Sequence, residues 1–234
     1  MHYSGAPTKF EDCIQHGLGS GAELFIVEGD SAAGAVANLR NAQTQAVLPM
    51  QGKPLNAPRT SGERVTEFSL FRQLVAALGV NLLDTDTGEA SDLTPLRFDR
   101  VLLLFDPDAD GIHCGALMLM FFYRWMRPLL QSGAVQIVRA PLFVLQATDA
   151  KDAKGIVATA HAYSPDHAGR LIADFKRRGL NDVKTHHHRG LASIDPALLA
   201  SSCVDPATRR VDVMSVADAE AAISAFGAVG VANL

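Results

Sequence analysis

The chain has 234 residues, of which 48% are hydrophobic and 20% charged, an ordinary globular composition with enough apolar residues for a core. A formal net charge of −4 argues against a protein coated in positive charge, and no apolar stretch reaches membrane-spanning length without a charge. Residues 1–11 hold no signal-peptide segment, so we expect a cytoplasmic protein without membrane contact. The cysteines are odd in number and far apart, which predicts reduced thiols.

Strands and helices alternate through the first 148 residues. The predicted elements are a strand at 24–27, a turn at 28–34, a helix to residue 40, a strand at 46–49, a loop at 51–62, a helix at 64–78 and a loop at 84–95. They continue with a strand at 101–105, a helix at 112–130, and strands at 134–138 and 142–145. This alternation predicts an α/β fold, a mostly parallel sheet flanked by helices.

The remainder of the chain has a weaker pattern. Its predicted elements are a connector at 147–164, a helix at 167–178, a loop at 186–192, helices at 196–201, 206–209 and 216–226, and a frayed tail from residue 227. We therefore divide the chain into a first domain with an N-terminal extension, a connector and a helical tail that packs back on the first domain, at residues 1–148, 149–165 and 166–234.

Three aspartates at alternate positions, Asp106, Asp108 and Asp110, follow the apolar run at 101–105. At about 5 Å and an effective dielectric constant near 20, each ionised pair costs roughly 3 kcal/mol. A bound cation, raised pKa values or full solvation must offset that cost. Glu28 follows another predicted strand, and ligands of such sheets gather at the carboxyl ends of the strands. We therefore treat the four acids as one site.

Two familiar motifs fail at these positions. Residues 106–111 match the start of a calcium EF-hand loop, but the twelfth position is Leu117 where a glutamate is required. Residues 29–34 have the glycine spacing of a phosphate-binding P-loop but lack its lysine. An oxygen-only cluster remains, which suits Mg²⁺, with Mn²⁺ as the alternative, and phosphodiester chemistry. Glu28 would act as general acid or as a further ligand, whereas a purely structural role as helix cap explains Asp110 alone.

A basic stretch lies further along the chain. Residues 170–190 carry six bases against two acids, which fits either nucleic-acid contact or a solvated helix face. Three consecutive histidines lie at 186–188, but the side chains of adjacent residues diverge and rarely bind one ion. We interpret them as part of a polar loop near nucleic acid.

Taken in chain order, the motifs resemble a known family. The stretch EGDSAAG at 28–34 resembles the EGDSAGG signature of the TOPRIM domain in bacterial type IIA topoisomerases. Further resemblances to the C-terminal half of the family's gyrase B or topoisomerase IV B chain lie at 48–56, 106–113, 121–124, 141–143, 188–192 and 205–210. They occur in order along nearly all of residues 9–226.

The resemblance implies a Rossmann-like TOPRIM fold and a Mg²⁺ site formed by Glu28, Asp106 and Asp108, with Asp110 close by. Such a site supports DNA cleavage and religation with a tyrosine supplied by an A-type partner subunit, and a homodimer is a further option. The family's ATPase part has no counterpart here, and none of the chain's own tyrosines is an obvious nucleophile. The DNA-contacting residues implied are Lys53, Asn56, His113, His188 and Arg189.

Several cations of the family pattern are changed while every acid is kept. The substitutions relative to the family are Gln51 for Lys, Gly115 for Arg, His188 for Tyr, Arg189 for Lys and Ala192 for Gly. Metal binding is therefore better supported than efficient DNA cleavage. Two alternatives stay open, a non-catalytic module that binds DNA or a topoisomerase, and a stand-alone TOPRIM nuclease that uses a metal-bound water.

Overall fold

A computed structural model describes residues 9–80, 94–148 and 156–226. The predicted frayed tail from 227 and most of the predicted loop at 84–95 lie outside these ranges. The strands are β1 (Glu23–Glu28), β2 (Gln45–Met50), β3 (Arg100–Leu104), β4 (Val135–Val138), β5 (Phe143–Thr148), β6 (Ile156–Ala162), β7 (Asp182–His187) and β8 (Val211–Val213). The helices are α1 (Gly29–Ala37), α2 (Gly62–Glu67), α3 (Ser69–Leu78), α4 (Ala109–Trp125), α5 (Arg127–Gln131), α6 (Pro165–Arg177), α7 (Pro196–Leu199) and α8 (Val216–Phe226).

The central sheet has five strands in the order β2-β1-β3-β4-β8. The first four are parallel and β8 is antiparallel to β4, so the predicted mostly parallel sheet is confirmed. A second sheet, with the antiparallel order β6-β5-β7, packs on α6 through the small apolar cluster around Leu145, Ala168 and Phe175. Across the described ranges, no helix combines the length and apolarity needed to cross a bilayer.

The central strands are buried on both faces, as their continuous apolar sequence predicts. Leu24, Ile26 and Leu103 face a core formed with α3, α4 and α5. Their neighbours Phe25 and Leu102 face the opposite side, where α1 and the segment at 191–204 pack. Because both faces of these strands are covered, a ligand can reach them only at their ends. A ligand site is therefore expected at the carboxyl ends of the strands, which form one edge of the sheet.

Two predicted helices are each broken in the structure. The helix predicted at 64–78 is divided at Phe68, whose φ of −67° and ψ of 119° are extended, into α2 and α3. The helix predicted at 112–130 begins earlier, at Ala109, and is divided into α4 and α5 at Met126, whose φ of −142° and ψ of 43° are not helical. Apolar periodicity survives such breaks, so it cannot reveal them.

The predictions for the second half of the chain need more correction. The connector predicted at 147–164 contains β6, and the loop predicted at 186–192 begins within β7. The helix predicted at 206–209 is a turn in which the Asp205 carboxylate accepts a hydrogen bond from the Ala207 amide (2.9 Å). β7 is an edge strand with mostly exposed side chains, so its sequence lacks the alternation of apolar and polar residues that identifies a half-buried strand. The proposed division into domains stays a prediction.

Candidate functional site

Both acidic turns emerge at the same edge of the central sheet. β1 and β3 are parallel neighbours, with Val27 paired to Leu104. Glu28 is the last residue of β1, and Asp106 lies two residues beyond the end of β3. The structure therefore brings these acids together although about eighty positions separate them in sequence.

Glu28 is the most constrained of the four acids. The chain turns directly from β1 into α1 at Gly29, whose φ of 75° is left-handed and favours glycine. The Oε2 atom of Glu28 is buried and has no hydrogen-bond partner among the described residues. Burial raises the pKa of Glu28, and the charges of Asp106 and Asp108 raise it further. A bound cation would stabilise this arrangement, because it would give the buried oxygen a partner and reduce the repulsion among the three carboxylates.

Asp106 is fixed by a segment far along the chain. Its Oδ1 accepts a hydrogen bond from the backbone amide of Leu191 (2.8 Å). A Cβ added to Gly190 would lie 2.9 Å from the other oxygen, Oδ2, so the absence of a side chain there makes room for the carboxylate. Burial raises the pKa of Asp106, with a smaller increase from Asp108, while the Leu191 amide opposes both. The loop at 188–191 thus forms one wall of the site.

The other two aspartates have different roles. Asp108 is the N-cap of α4, and its Oδ1 accepts from the Gly111 amide (2.9 Å), so the prediction that Asp110 caps this helix is wrong. Asp110 is exposed and pairs with Lys53 (2.8 Å), and this contact lowers the pKa of Asp110 and raises that of Lys53. Gly111 permits the tight turn because a Cβ there would lie 1.9 Å from the Asp106 carbonyl oxygen.

The acids fit a hard divalent cation that keeps part of its water shell. Among the described residues, the one trio of Asp, Glu, His or Cys whose ligand atoms all lie within 4.8 Å of one another is Asp12, Cys13 and His16, so no three acids at the sheet edge approach that closely. Arg97 already contacts both Asp12 and His16 in that trio, which opposes a cation there. At the sheet edge the donors are all oxygen, and Mg²⁺ typically takes one or two carboxylates and several waters.

The residues implied as DNA contacts are placed unevenly. Lys53 is paired with Asp110, and the ring of His113 stacks on Phe226 with the ring centroids 5.5 Å apart. Asn56 begins a short 3-10 turn, and its buried Oδ1 has no hydrogen-bond partner among the described residues.

The remaining two implied contacts, His188 and Arg189, precede the glycine that faces Asp106. Burial lowers the pKa of His188, whose Nε2 is buried without a hydrogen-bond partner among the described residues, whereas Arg189 is exposed.

Three contributions to the site were missed by sequence reasoning. The Leu191 amide and the space at Gly190 hold Asp106, and both lie in the stretch HRGLA, whose basic side chains are its most visible feature. The third is Cys114, whose thiol pKa rises to about 11 through burial and the charge of Glu28. The glycine in that stretch was the available signal. The predicted thiols are confirmed, since all three cysteines are free and buried.

Comparison with known proteins agrees with this architecture. The Toprim domain family matches residues 23–140, half of the chain, and the chain belongs to that family. It is also similar to the B subunit of DNA gyrase from several organisms. The Thermus thermophilus protein is 34% identical over 221 residues, 94% of this chain and 33% of that protein. The Borreliella burgdorferi protein is 30% identical over 213 residues, 91% of this chain and 31% of that protein.

A third relative, the gyrase B protein of Staphylococcus epidermidis, is 38% identical over 145 residues, which are 62% of this chain and 22% of that protein. The chain spans about a third or less of the length of the curated relatives it matches. The resemblance found in the motifs and the TOPRIM fold expected from it are thereby confirmed.

Proposed function

We propose that the acidic edge binds Mg²⁺, or Mn²⁺ in its place, through Glu28, Asp106 and Asp108, and supports cleavage and religation of DNA. The attacking tyrosine would come from an A-type subunit. The observation that carries the proposal is the buried, unpartnered Oε2 of Glu28 beside two aspartates from a neighbouring strand end. Similarity to the gyrase B proteins supports the choice of DNA as substrate.

The residues divide the chemistry among them. The bound ion would stabilise negative charge on the phosphate and the leaving oxygen. Glu28, at the buried end of β1, would either bind the ion as a carboxylate or, instead, act as the general acid that protonates the leaving oxygen, a role that its raised pKa suits. Asp106 would keep a fixed orientation because the Leu191 amide holds one of its oxygens. Asp108 would be fixed in the same way by its bond to the Gly111 amide.

A partner is proposed for the nucleophile because both described tyrosines are packed against neighbouring side chains. The Tyr123 hydroxyl donates to Glu220 (3.2 Å), and Arg127 lies 4.0 Å above its ring. The ring of Tyr163 stacks on His167 and lies under Arg210. Tyr3 lies outside the described residues.

Two measurements test the proposal. Calorimetric titration with Mg²⁺ should show binding to the unaltered chain and to Glu63→Gln, an exposed control, and at least tenfold weaker binding to Glu28→Gln. Supercoiled plasmid should then be cleaved only when Mg²⁺ and a gyrase A-type subunit are both present. Measured Mg²⁺ binding without partner-dependent cleavage would count against a catalytic role.

A non-catalytic module that binds DNA or the A-type subunit is the second candidate. It is favoured by the weak positive charge near the acids, since Lys53 is paired with Asp110, and Gln51, where the family pattern has a lysine, is neutral and donates to Asp30 (2.6 Å). Asp108→Asn preserves the cap of α4 yet weakens a metal site. If this variant still captures the A-type subunit, and neither form cleaves DNA, the module is supported. Nicking without a partner that disappears in Glu28→Gln would identify a nuclease instead.

A further inference from the structure

A cavity of about 350 Å³ lies between the start of α6 and residues that flank β4 and β8 of the central sheet, outside the acidic edge. Three arginines from separate segments line it, Arg139 after β4, Arg170 in α6 and Arg210 before β8. Tyr163, Ser164 and His167 complete the lining. The described residues contribute no carboxylate to this lining, so its charge is positive.

Of the three arginines, Arg139 alone forms an ion pair among the described residues. The Arg139 Nε donates to Asp212, and the Arg139 backbone amide donates to the Arg210 carbonyl (2.9 Å). The Arg210 guanidinium lies 5.0 Å above the Tyr163 ring. In the part of the chain that the structure describes, no carboxylate lies within 4.0 Å of the basic nitrogens of Arg170 or Arg210. Two guanidinium groups therefore stay available to an anion.

His167 and the start of α6 add donors to the same cavity. The His167 Nδ1 accepts from the Tyr163 amide (3.4 Å), so the neutral ring carries its proton on Nε2 and can donate there. Ser164 caps α6, a helix of 13 residues, by accepting from the His167 amide (3.1 Å). The positive end of the helix dipole thus points toward the arginines.

A second cavity shares lining residues with this basic cavity and with the acidic edge. This second cavity, of about 340 Å³, shares Arg139 and Tyr163 with the basic cavity and extends to Asp106 and Pro107. A chain of phosphates that reaches Asp106 would therefore pass the three arginines. A small free anion would not need this second cavity, and an acidic peptide would bring carboxylates toward the acidic edge.

We propose that Arg139, Arg170 and Arg210 bind backbone phosphates of the same DNA strand that the acidic edge acts on. The proposal rests on DNA being the substrate, as in the proposed function. Arginine suits this task because its planar fork donates two parallel hydrogen bonds to a phosphate. Such contacts position the strand and carry no sequence preference.

The test measures duplex DNA affinity by fluorescence anisotropy over a range of salt concentrations, with EDTA present so that the acidic edge carries no metal. The logarithm of the binding constant falls linearly with the logarithm of the salt concentration, and each lost phosphate contact makes this slope less steep by about 0.9. At 0.1 M salt that corresponds to roughly an eightfold loss of affinity. We expect this from Arg170→Gln and from Arg210→Gln. Arg177→Gln is the matched control, since Arg177 lies at the other end of α6 and pairs with Asp174 (3.0 Å).

The outcomes separate the two proposals. If Arg170→Gln and Arg210→Gln bind DNA with the same affinity as Arg177→Gln and show unchanged thermal unfolding, the proposed phosphate site is refuted. This conclusion does not depend on the effect of Glu28→Gln on metal binding. A site that inorganic phosphate saturates in NMR titration, while both variants keep full DNA affinity, would also overturn it. Loss of DNA affinity in the arginine variants supports it even if no cleavage is ever seen. Competition by polyglutamate but not by DNA would assign the cavity to an acidic protein and refute the proposal.

Discussion

Replacing Arg209 should destabilise the protein more than removing any of its exposed charges. Glu23, the first residue of β1, is only 1% exposed, and the Arg209 side chain is 5% exposed. The two groups form a bidentate pair, with one N–O distance of 2.8 Å, and Gln45 and Arg100 each donate a further bond of 3.0 Å to Glu23. These contacts outweigh burial, so the pKa of Glu23 lies below its usual value.

Arg209→Met leaves the Glu23 carboxylate buried with Gln45 and the half-exposed Arg100 as its partners. Removing one member of a buried pair costs about 3–5 kcal/mol, and because other bonds to Glu23 survive we expect a loss of about 3 kcal/mol. For a domain of this size that corresponds to a fall in Tm of roughly 6–12 °C. Urea unfolding followed by circular dichroism measures the free energy directly.

Arg177→Met is the control, because it removes an exposed ion pair worth less than about 1 kcal/mol. The double variant Glu23→Gln and Arg209→Met lacks the buried, unpaired carboxylate, so it should recover most of the lost stability. Because the folded pKa of Glu23 is lowered, its contribution is present at neutral pH and is lost as pH falls through that pKa. The difference between the unaltered chain and Arg209→Met should therefore shrink on acidification. Equal stability of Arg209→Met and the control at pH 7 would refute this reasoning.

Three further predictions concern the acidic edge. Glu28→Gln should raise metal-free stability at pH 7 by about 1 kcal/mol or more, because it removes a buried, unpartnered charge. Because the pKa of Glu28 is raised in the folded state, the unaltered chain should become more stable relative to this variant as pH falls toward that pKa. Urea unfolding at several pH values measures both effects. Gly190→Ala places a Cβ 2.9 Å from the Asp106 carboxylate, so calorimetry should show Mg²⁺ affinity about tenfold lower, with little change in Tm; undiminished affinity would mean that Asp106 is not a ligand. Gly111→Ala places a Cβ 1.9 Å from the Asp106 carbonyl oxygen and should cost about 1–3 kcal/mol in thermal unfolding, and a neutral effect would contradict the tight turn.

The part of the fold that could be predicted is the part governed by local apolar sequence. The strands at 24–27 and 101–105 are continuous apolar runs, and an acid follows each at the sheet edge. Predicting that these acids lie together required only the rule that the carboxyl ends of parallel strands lie on the same side of the sheet. The prediction of two separate acidic turns at one edge therefore needed no knowledge of side-chain contacts.

The parts that could not be predicted depend on contacts between distant residues. The extended backbone at Phe68 interrupts an apolar pattern that is periodic on both sides of it. β8 has three residues and exists as a strand through its pairing with β4. The anchor of Asp106 is a backbone amide 85 positions later, and a backbone group leaves no trace in residue type beyond the nearby glycine.

The reach of that amide also bears on how the protein should be divided for experiments. The family match ends at residue 140, and a fragment cut there would keep all four acids. It would lose the Leu191 amide and the Arg209 guanidinium, and with them the support of Asp106 and the neutralisation of Glu23. Metal affinities measured on such a fragment would describe an Asp106 without its Leu191 anchor, on a domain with an unneutralised Glu23 at the far end of β1. Recombinant pieces should therefore extend through at least residue 213, the end of β8.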